Sequence, residues 1–555
     1  MSPPPEPLAP LVLEVTADKA YQEAVAKASK ALLADQQLRQ IFQGNDLWLV
    51  GFDVIDKVDG NPPRFSTIVH DTATGRSVRA EGAFYDDPED LGALSITPTA
   101  QQQPPTDEEF DWAVETLKND MDWGKVIFVE GVEAYRPSPA LANIGYPDGS
   151  VERVITVGLR SEAGDGPRHR IMGVKTWDGK AVPEPTGVPA PSDKECGVRR
   201  DPTPPAEETV EGAPRVRVQV RREGEERALW DLVVVRPRAS SGTNGSGIEL
   251  RNVDYKGQSV LHRAHLPIAT VEYDEEDRAA AGCAPLERVW LREESGFEAT
   301  AADGQPDDPI AGFRVCAEAP RTIIDADEEQ GQFCGVALRL EGEELVIVSQ
   351  VKAGWHRYVN EWRLHADGTI RPRMAISAVH NPVTCSPHVH HLYWRFDFDI
   401  VGMVNVVQEH NDEPVHGTSS WHTVRFEVAR PRNTERGRFW RVRSARSSQG
   451  YSLMPGANDD VAGTTGAGDV WVVRYDDSEV DDGVGPSVDP EQAPAQLDWF
   501  VTGESAHTAD VVLWYAAHAA RPGTPAPVGP DLVPFNWKDS SAAEAPFATL
   551  EPPPA

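Results

Sequence analysis

Across residues 215–540 almost no stretch carries apolar residues at helical spacing, and that absence constrains the fold more than any other feature. Short segments alternate apolar with polar residues instead, as at Val216, Val218 and Val220, or form compact apolar runs such as Leu232 to Val235 and Leu345 to Val348. Strand side chains point to alternate faces, so these patterns give strands with one or both faces buried. Gly, Asp and Pro punctuate them, and the chain's 45 Gly and 47 Pro suit many turns rather than long helices. A segment of this length made of short strands buries its apolar faces by stacking sheets, so it reads as one large all-β sandwich.

The residues before it read as two small α+β domains in tandem. Tyr21, Val25, Ala28 and Leu32 recur at helical spacing within Thr16 to Phe42, and Leu47 to Ile55, Phe65 to Val69 and Ser77 to Ala80 read as strands. The order then repeats. Thr106 and Glu109 have capping-box spacing, Phe110, Ala113, Val114 and Leu117 form a helical stripe, and strands are expected at Val126 to Val132 and Val151 to Leu159. The resulting division is 11–100 and 105–182 for the small domains, 183–214 for a Pro-rich extended connector, 215–540 for the sandwich and 541–555 for a Pro/Ala-rich tail.

With 53 Lys+Arg against 88 Asp+Glu the formal charge is −35, which repels phosphate backbones and anionic lipid. Small neutral or cationic ligands are the expected partners, with no nucleic acid and no membrane. No apolar run approaches the roughly 20 residues of a membrane span, and Met1 to Pro10 lack signal-peptide character, so the default location is cytoplasmic. Five scattered cysteines without a CxxC pair exclude a thiolate zinc site and a dense disulfide framework, leaving room for one bridge. The acidic runs Tyr273 to Asp277, Asp325 to Glu329 and Asp476 to Asp482 read as solvated loops that match no EF-hand.

Chemistry concentrates in Ser386 to Asp397. On a strand His388 and His390 share a face and can present two imidazoles to one metal, while His391 points the other way. An isolated His-x-His pair is also often incidental. This segment, with Arg395-Phe396-Asp397, Gly402 and Asn405, resembles the copper-ligand strand of the copper amine oxidases. Val260 to Pro267, Gly450 to Leu453, Asp469 to Tyr475 and Asp510 to Tyr515 are similar to other segments of that family, in the family's order.

The resemblance implies a third copper ligand at His518, within His518-Ala519-Ala520-Arg521-Pro522, against the alternative of a histidine beside the last strand. Three neutral imidazoles suit Cu(II). It also implies a homodimer, to which the 15 Trp would lend apolar area. Asp397 and Asp510 match the acidic side chains of a peripheral site for Ca2+ or a similar hard cation; the other reading is two turn or strand-end aspartates.

Three departures stand out. The family oxidises a tyrosine beside the copper to topaquinone, and here that position falls on His356, within Trp355-His356-Arg357-Tyr358. An imidazole cannot become a quinone, so topaquinone is not expected, and His356 becomes the residue on which catalysis turns. Tyr358 matches the motif's last tyrosine. The segment that should carry the proton-abstracting Asp is shortened to eight residues between Tyr273 and Gly282, leaving Asp274 or Asp277 as replacements. Cys283 and Cys316 match family cysteines, and a bridge between them is implied only by that match.

If His356 turns toward the metal, the site closes with four imidazoles; if not, three imidazoles leave an open position. The reading is a copper-dependent oxidoreductase, acting on an amine or related small molecule without a standard topaquinone. The alternative is a catalytically silent copper-binding or scaffold homologue.

Overall fold

Alternation along the strand His388–Phe398 shows how the sandwich is built. Leu392, Trp394, Phe396 and Phe398 face the main core, and the residues between them face the other side of the sheet. Neighbouring Val511–Arg521 repeats this, with Val511, Leu513, Tyr515 and Ala517 in the main core and Val512, Trp514 and Ala516 in a smaller cluster behind the sheet with Trp471. The computed structural model describes residues 9–537 apart from 43–46, 56–62, 72–75, 100–104, 128–131, 138–140, 142–143, 146–150, 162–168, 177, 184–195, 199–211, 274–285, 302–309, 327–330, 380–384, 386, 415–416, 460–467, 486–493 and 522–525.

Among the described residues two ten-stranded sheets stack to form the sandwich. The first runs through Arg215–Arg222, Trp230–Val235, Glu249–Tyr255, Gln258–Tyr273, His388–Phe398, Val511–Arg521 and Val470–Arg474. The second includes Val336–Glu341, Glu344–Ala353, His356–His365, Ile370–Ala378 and Asp531–Phe535. Their inner faces share one core in which Trp230, Trp355, Trp362, Trp394 and Trp440 are buried. The large all-β expectation for this part of the chain therefore holds.

Before the sandwich lie two four-stranded sheets, each with helices against it. Their details differ from the sequence reading in three places. Leu11–Ala17 is a strand that pairs along Arg215–Arg222 at the edge of the first large sheet, so Thr16 belongs there and the helix starts at Lys19, where Asp18 accepts from the Tyr21 N–H. The helical stretch to Phe42 is broken at Asp35, whose carboxylate accepts from the N–H groups of Gln37 and Leu38 and starts a second helix, Gln36–Phe42. Val126 and Ile127 close a short helix, Gly124–Ile127, which follows the turn where Asp120 accepts from Trp123 N–H; the strand is Val132–Tyr135. The capping box of Thr106 and Glu109 is present with both hydrogen bonds. The Pro-rich connector is described at Pro183, which ends the strand Ala181–Pro183, at Cys196, Gly197, Val198 and from Gly212 onward, and 541–555 fall outside the described residues.

Nor is the acidic run Asp476 to Asp482 wholly solvated. Asp481 and Asp482 are buried, and Asp482 receives Arg288 at 2.7 Å, because a buried guanidinium needs a carboxylate beside it.

One buried histidine makes stability depend on acid. His70 lies in the first small sheet with its Nδ1 2.9 Å from the Ser77 hydroxyl, and its pKa is pushed down to about 3, first by burial and then by the Arg153 guanidinium. Its unfolded value is near 6.5, so its contribution is complete above that pH and is lost as pH falls toward 3. Two pH units below 6.5 correspond to about 2.7 kcal/mol. His70→Asn is expected to lose less thermal stability than wild type between pH 7 and pH 4.5; equal losses in calorimetry would remove His70 as the cause.

Candidate metal centre

Strand parity decides which histidines meet. His388 and His390 continue the inward-facing row of Leu392 and Trp394, at the end of the first sheet. Across the core, His356 starts a strand of the second sheet whose inward row continues with Tyr358, Trp362 and Leu364. The three imidazoles are buried, each offers a nitrogen, and these nitrogens lie within 4.8 Å of one another. Ring centroids are 4.9 Å apart for His356 and His390, 5.2 Å for His356 and His388, and 5.0 Å for His388 and His390.

Neighbours decide which nitrogen each ring offers. Tyr358 Oη lies 3.0 Å from His390 Nδ1, leaving Nε2 for a metal; with Nδ1 protonated it donates to the phenol oxygen, which fixes the ring as an outer-shell partner does. The Trp355 indole N–H donates to His356 Nε2 over 3.2 Å. An indole only donates, so that nitrogen holds a lone pair. His356 can ligate through it only by giving up Trp355; ligation through Nδ1 moves the ring proton to Nε2, which likewise ends the Trp355 hydrogen bond. Tyr273 lies opposite His388 in the strand pairing, with its hydroxyl 3.5 Å from His356 Nε2, and burial raises its pKa well above 10. Imidazole nitrogens bind Zn2+ at about 2.0–2.1 Å. The donor set of three buried imidazoles fits Cu(II), with Zn2+ as the nearest competitor.

His518 does not join this group. It stands in register with His391 and shares the outward face with Trp514 and Ala516, while the inward residue opposite His390 is Ala519. An odd offset along a strand turns a side chain to the other face, which is why His518 misses the trio. Its Nδ1 lies 2.7 Å from His391 Nδ1, its Nε2 3.0 Å from Asp469, and His391 Nε2 3.1 Å from Glu272. An imidazole nitrogen facing a carboxylate serves as the donor, and the close Nδ1 pair forms a hydrogen bond when one of the two nitrogens carries a proton. Burial lowers the pKa of His518, with the Asp469 hydrogen bond opposing. The structure thus groups His356 with His388 and His390, and His518 with His391, rather than His518 with His388 and His390.

Asp397 and Asp510 do come together, and Asp399 joins them, with carboxylate oxygens within 4.8 Å of one another. Asp399 was missed, although its two-residue spacing from Asp397 was a readable signal. Asp274, Asp277 and Cys283 lie outside the described residues. Cys316 is free and buried rather than bridged to Cys283, and the disulfide joins Cys196 to Cys385.

Comparison with solved structures bears on this arrangement. A copper-containing benzylamine oxidase from Hansenula polymorpha superposes with a TM-score of 0.60 at 12% identity, covering 92% of this chain and 96% of that one. This chain has the copper amine oxidase fold. Lysyl oxidase from Pichia pastoris gives a TM-score of 0.53 at 13% identity over 92% of this chain and 89% of that chain. Aspergillus nidulans amine oxidase gives 0.53 at 14%, over 100% and 95%. No family model and no curated protein sequence matches the chain. The amine-oxidase-like fold carries a buried histidine trio, His356, His388 and His390.

Proposed function

We propose that this chain is a copper-binding oxidoreductase of the amine oxidase fold that uses His356, His388 and His390 as its metal ligands and acts on an amine or related small molecule without topaquinone. The observation that carries the reading is the buried convergence of those three imidazoles between the two sheets. Bound copper would supply electron exchange with O2 or Lewis acidity. Among the chain's own residues Tyr358 sets the His390 ring, while the Trp355 indole competes with a metal for Nε2 of His356. A catalytically silent copper-binding or scaffold role is the second reading. It is favoured by His356 itself, which leaves no tyrosine at the position from which the family makes its carbonyl reagent.

Asp397, Asp399 and Asp510 support a peripheral Ca2+ site, since clustered carboxylate oxygens suit a hard cation. A homodimer remains part of the proposal, with Phe426 and Trp499 exposed to 62% and 65% as apolar area for a partner copy. No described helix is long and apolar enough to cross a membrane. Against the cytoplasmic default, the Cys196–Cys385 bridge favours an oxidising compartment.

Metal analysis of the purified chain, loaded and dialysed, is expected to find one copper per protomer and none in H388A/H390A, with light scattering giving twice the chain mass. Full copper in the double variant rejects the ligand assignment, and a monomeric mass at micromolar concentration rejects the dimer.

A further inference from the structure

We infer that the Cys196–Cys385 disulfide is a redox control on the metal centre, holding its two halves in register while oxidised and loosening them when reduced. This rests on the reading of His356, His388 and His390 as ligands. The trio is divided between sheets, so its geometry depends on what fixes one sheet against the other at that end.

Backbone contacts on one side and the disulfide on the other bring the bridge to both halves. On the His356 side, His356 pairs with Ala378, and the Val379 N–H donates to the Trp355 carbonyl at 2.9 Å. Onto this same strand end is laid the short segment Cys196 to Val198, where the Val198 N–H donates to the Ala378 carbonyl at 2.8 Å and Val198 forms a parallel bridge with Val379. Gly197 has φ +98°, and a Cβ there would lie 2.5 Å from the Val379 carbonyl oxygen, so the close approach requires glycine. The disulfide then carries this clip to Cys385, three residues ahead of His388, where the other ligand strand begins. The disulfide thus joins a segment hydrogen-bonded to the strand end beside His356 to the backbone leading into His388 and His390.

The bridge is also the reachable thiol chemistry among the described residues. Cys196 is exposed, whereas Cys316 and Cys334 are free but buried, and burial pushes their pKa up to about 11 and about 12, which suppresses the thiolates needed for exchange. A dithiol reductant opens the bond with two electrons. The dithiol becomes its own disulfide, and its two protons end on the sulfurs of Cys196 and Cys385.

Losing a support behind metal ligands typically costs about 10–100-fold in affinity, and that is the size expected here. The test uses the full chain and Co2+, whose visible band reports ligand geometry, with affinity read by competition against a chromophoric chelator. Oxidised wild type is compared with C196S/C385S, which offers no new thiol ligand, and with C316S as control. The double variant is expected to keep its sheet circular dichroism, to bind Co2+ roughly 10–100-fold more weakly, and to show a shifted band, with C316S unchanged. A folded double variant with wild-type affinity and band overturns the inference. Should that variant not fold, Co2+-loaded wild type is treated with dithiothreitol, and a release rate equal to that of the untreated protein overturns it instead. Oxidised wild type that binds no Co2+ refutes the ligand reading itself, before the disulfide is touched.

Discussion

Alanine at His356 is expected to weaken copper binding by roughly 100-fold or more, while alanine at His518 leaves it within about threefold. Removing a ligand costs more than removing its outer-shell support, which is itself worth about 10–100-fold. His356 lies with its ring centroid about 5 Å from those of both His388 and His390, whereas His518 sits behind the sheet, bonded to His391 and Asp469. His518→Ala should instead cost stability, on the order of 1–3 kcal/mol, because Asp469 and His391 lose a buried partner. Isothermal titration with copper in a weak competing chelator measures the first effect and thermal unfolding the second. The opposite ranking, with His518→Ala abolishing binding and His356→Ala sparing it, would return the site to the family's ligand pattern and require a different register for Val511–Arg521.

Copper-loaded wild type is expected to show no quinone absorbance and no adduct with phenylhydrazine after prolonged exposure to O2. Ring oxidation of that kind needs a phenol held at the metal, and the side chain that faces His388 and His390 is an imidazole, His356. The nearest phenols serve other ends: Tyr358 is engaged with Nδ1 of His390, and Tyr273 is buried with its ionisation suppressed. His356→Tyr returns a phenol to the space facing His388 and His390, so slow appearance of a quinone band is expected in that variant. Amine turnover should stay poor in it, since the segment that would supply a base is shortened. Mass spectrometry of wild-type peptides is decisive, and a quinone found on Tyr358 or Tyr273 would restore a conventional amine oxidase.

The large β sandwich was legible because strand alternation and turn residues are local signals, and they recur across the whole second part of the chain. His388 and His390 were legible for the same reason, since two residues apart on a strand means one face. What could not be read was parity between strands. Whether His518 looks inward or outward depends on the register of Val511–Arg521 against His388–Phe398, and no local property of Ala516-Ala517-His518-Ala519 announces it. His356 was recognised as the departure from the family pattern, with its approach to the metal left open, because that depends on how the second sheet lies over the first. The Cys196–Cys385 pairing was hidden by a sequence separation of 189 residues, across which only the folded chain brings the two together. Leu11–Ala17 was assigned to the first small domain because it precedes that domain's helix, and only pairing partners distant in sequence showed otherwise.

That last strand has a consequence for anyone trimming the protein. Leu11–Ala17 closes the outer edge of the first large sheet, so excising the N-terminal units as a cassette would leave the backbone N–H and C=O groups of Arg215–Arg222 open to any extended chain that drifts by. The uncovered strand reads Arg215-Val216-Arg217-Val218-Gln219-Val220-Arg221-Arg222, with the valines toward the core and Arg217 and Arg221 on the other face. Those charges would resist stacking of one copy against another, but they would draw acidic segments, of which this chain has many. A sandwich produced without its first strand should therefore be prone to borrow one from a neighbour, and keeping residues 9–17 on a circularly rearranged or tethered version is the simplest guard against that exchange.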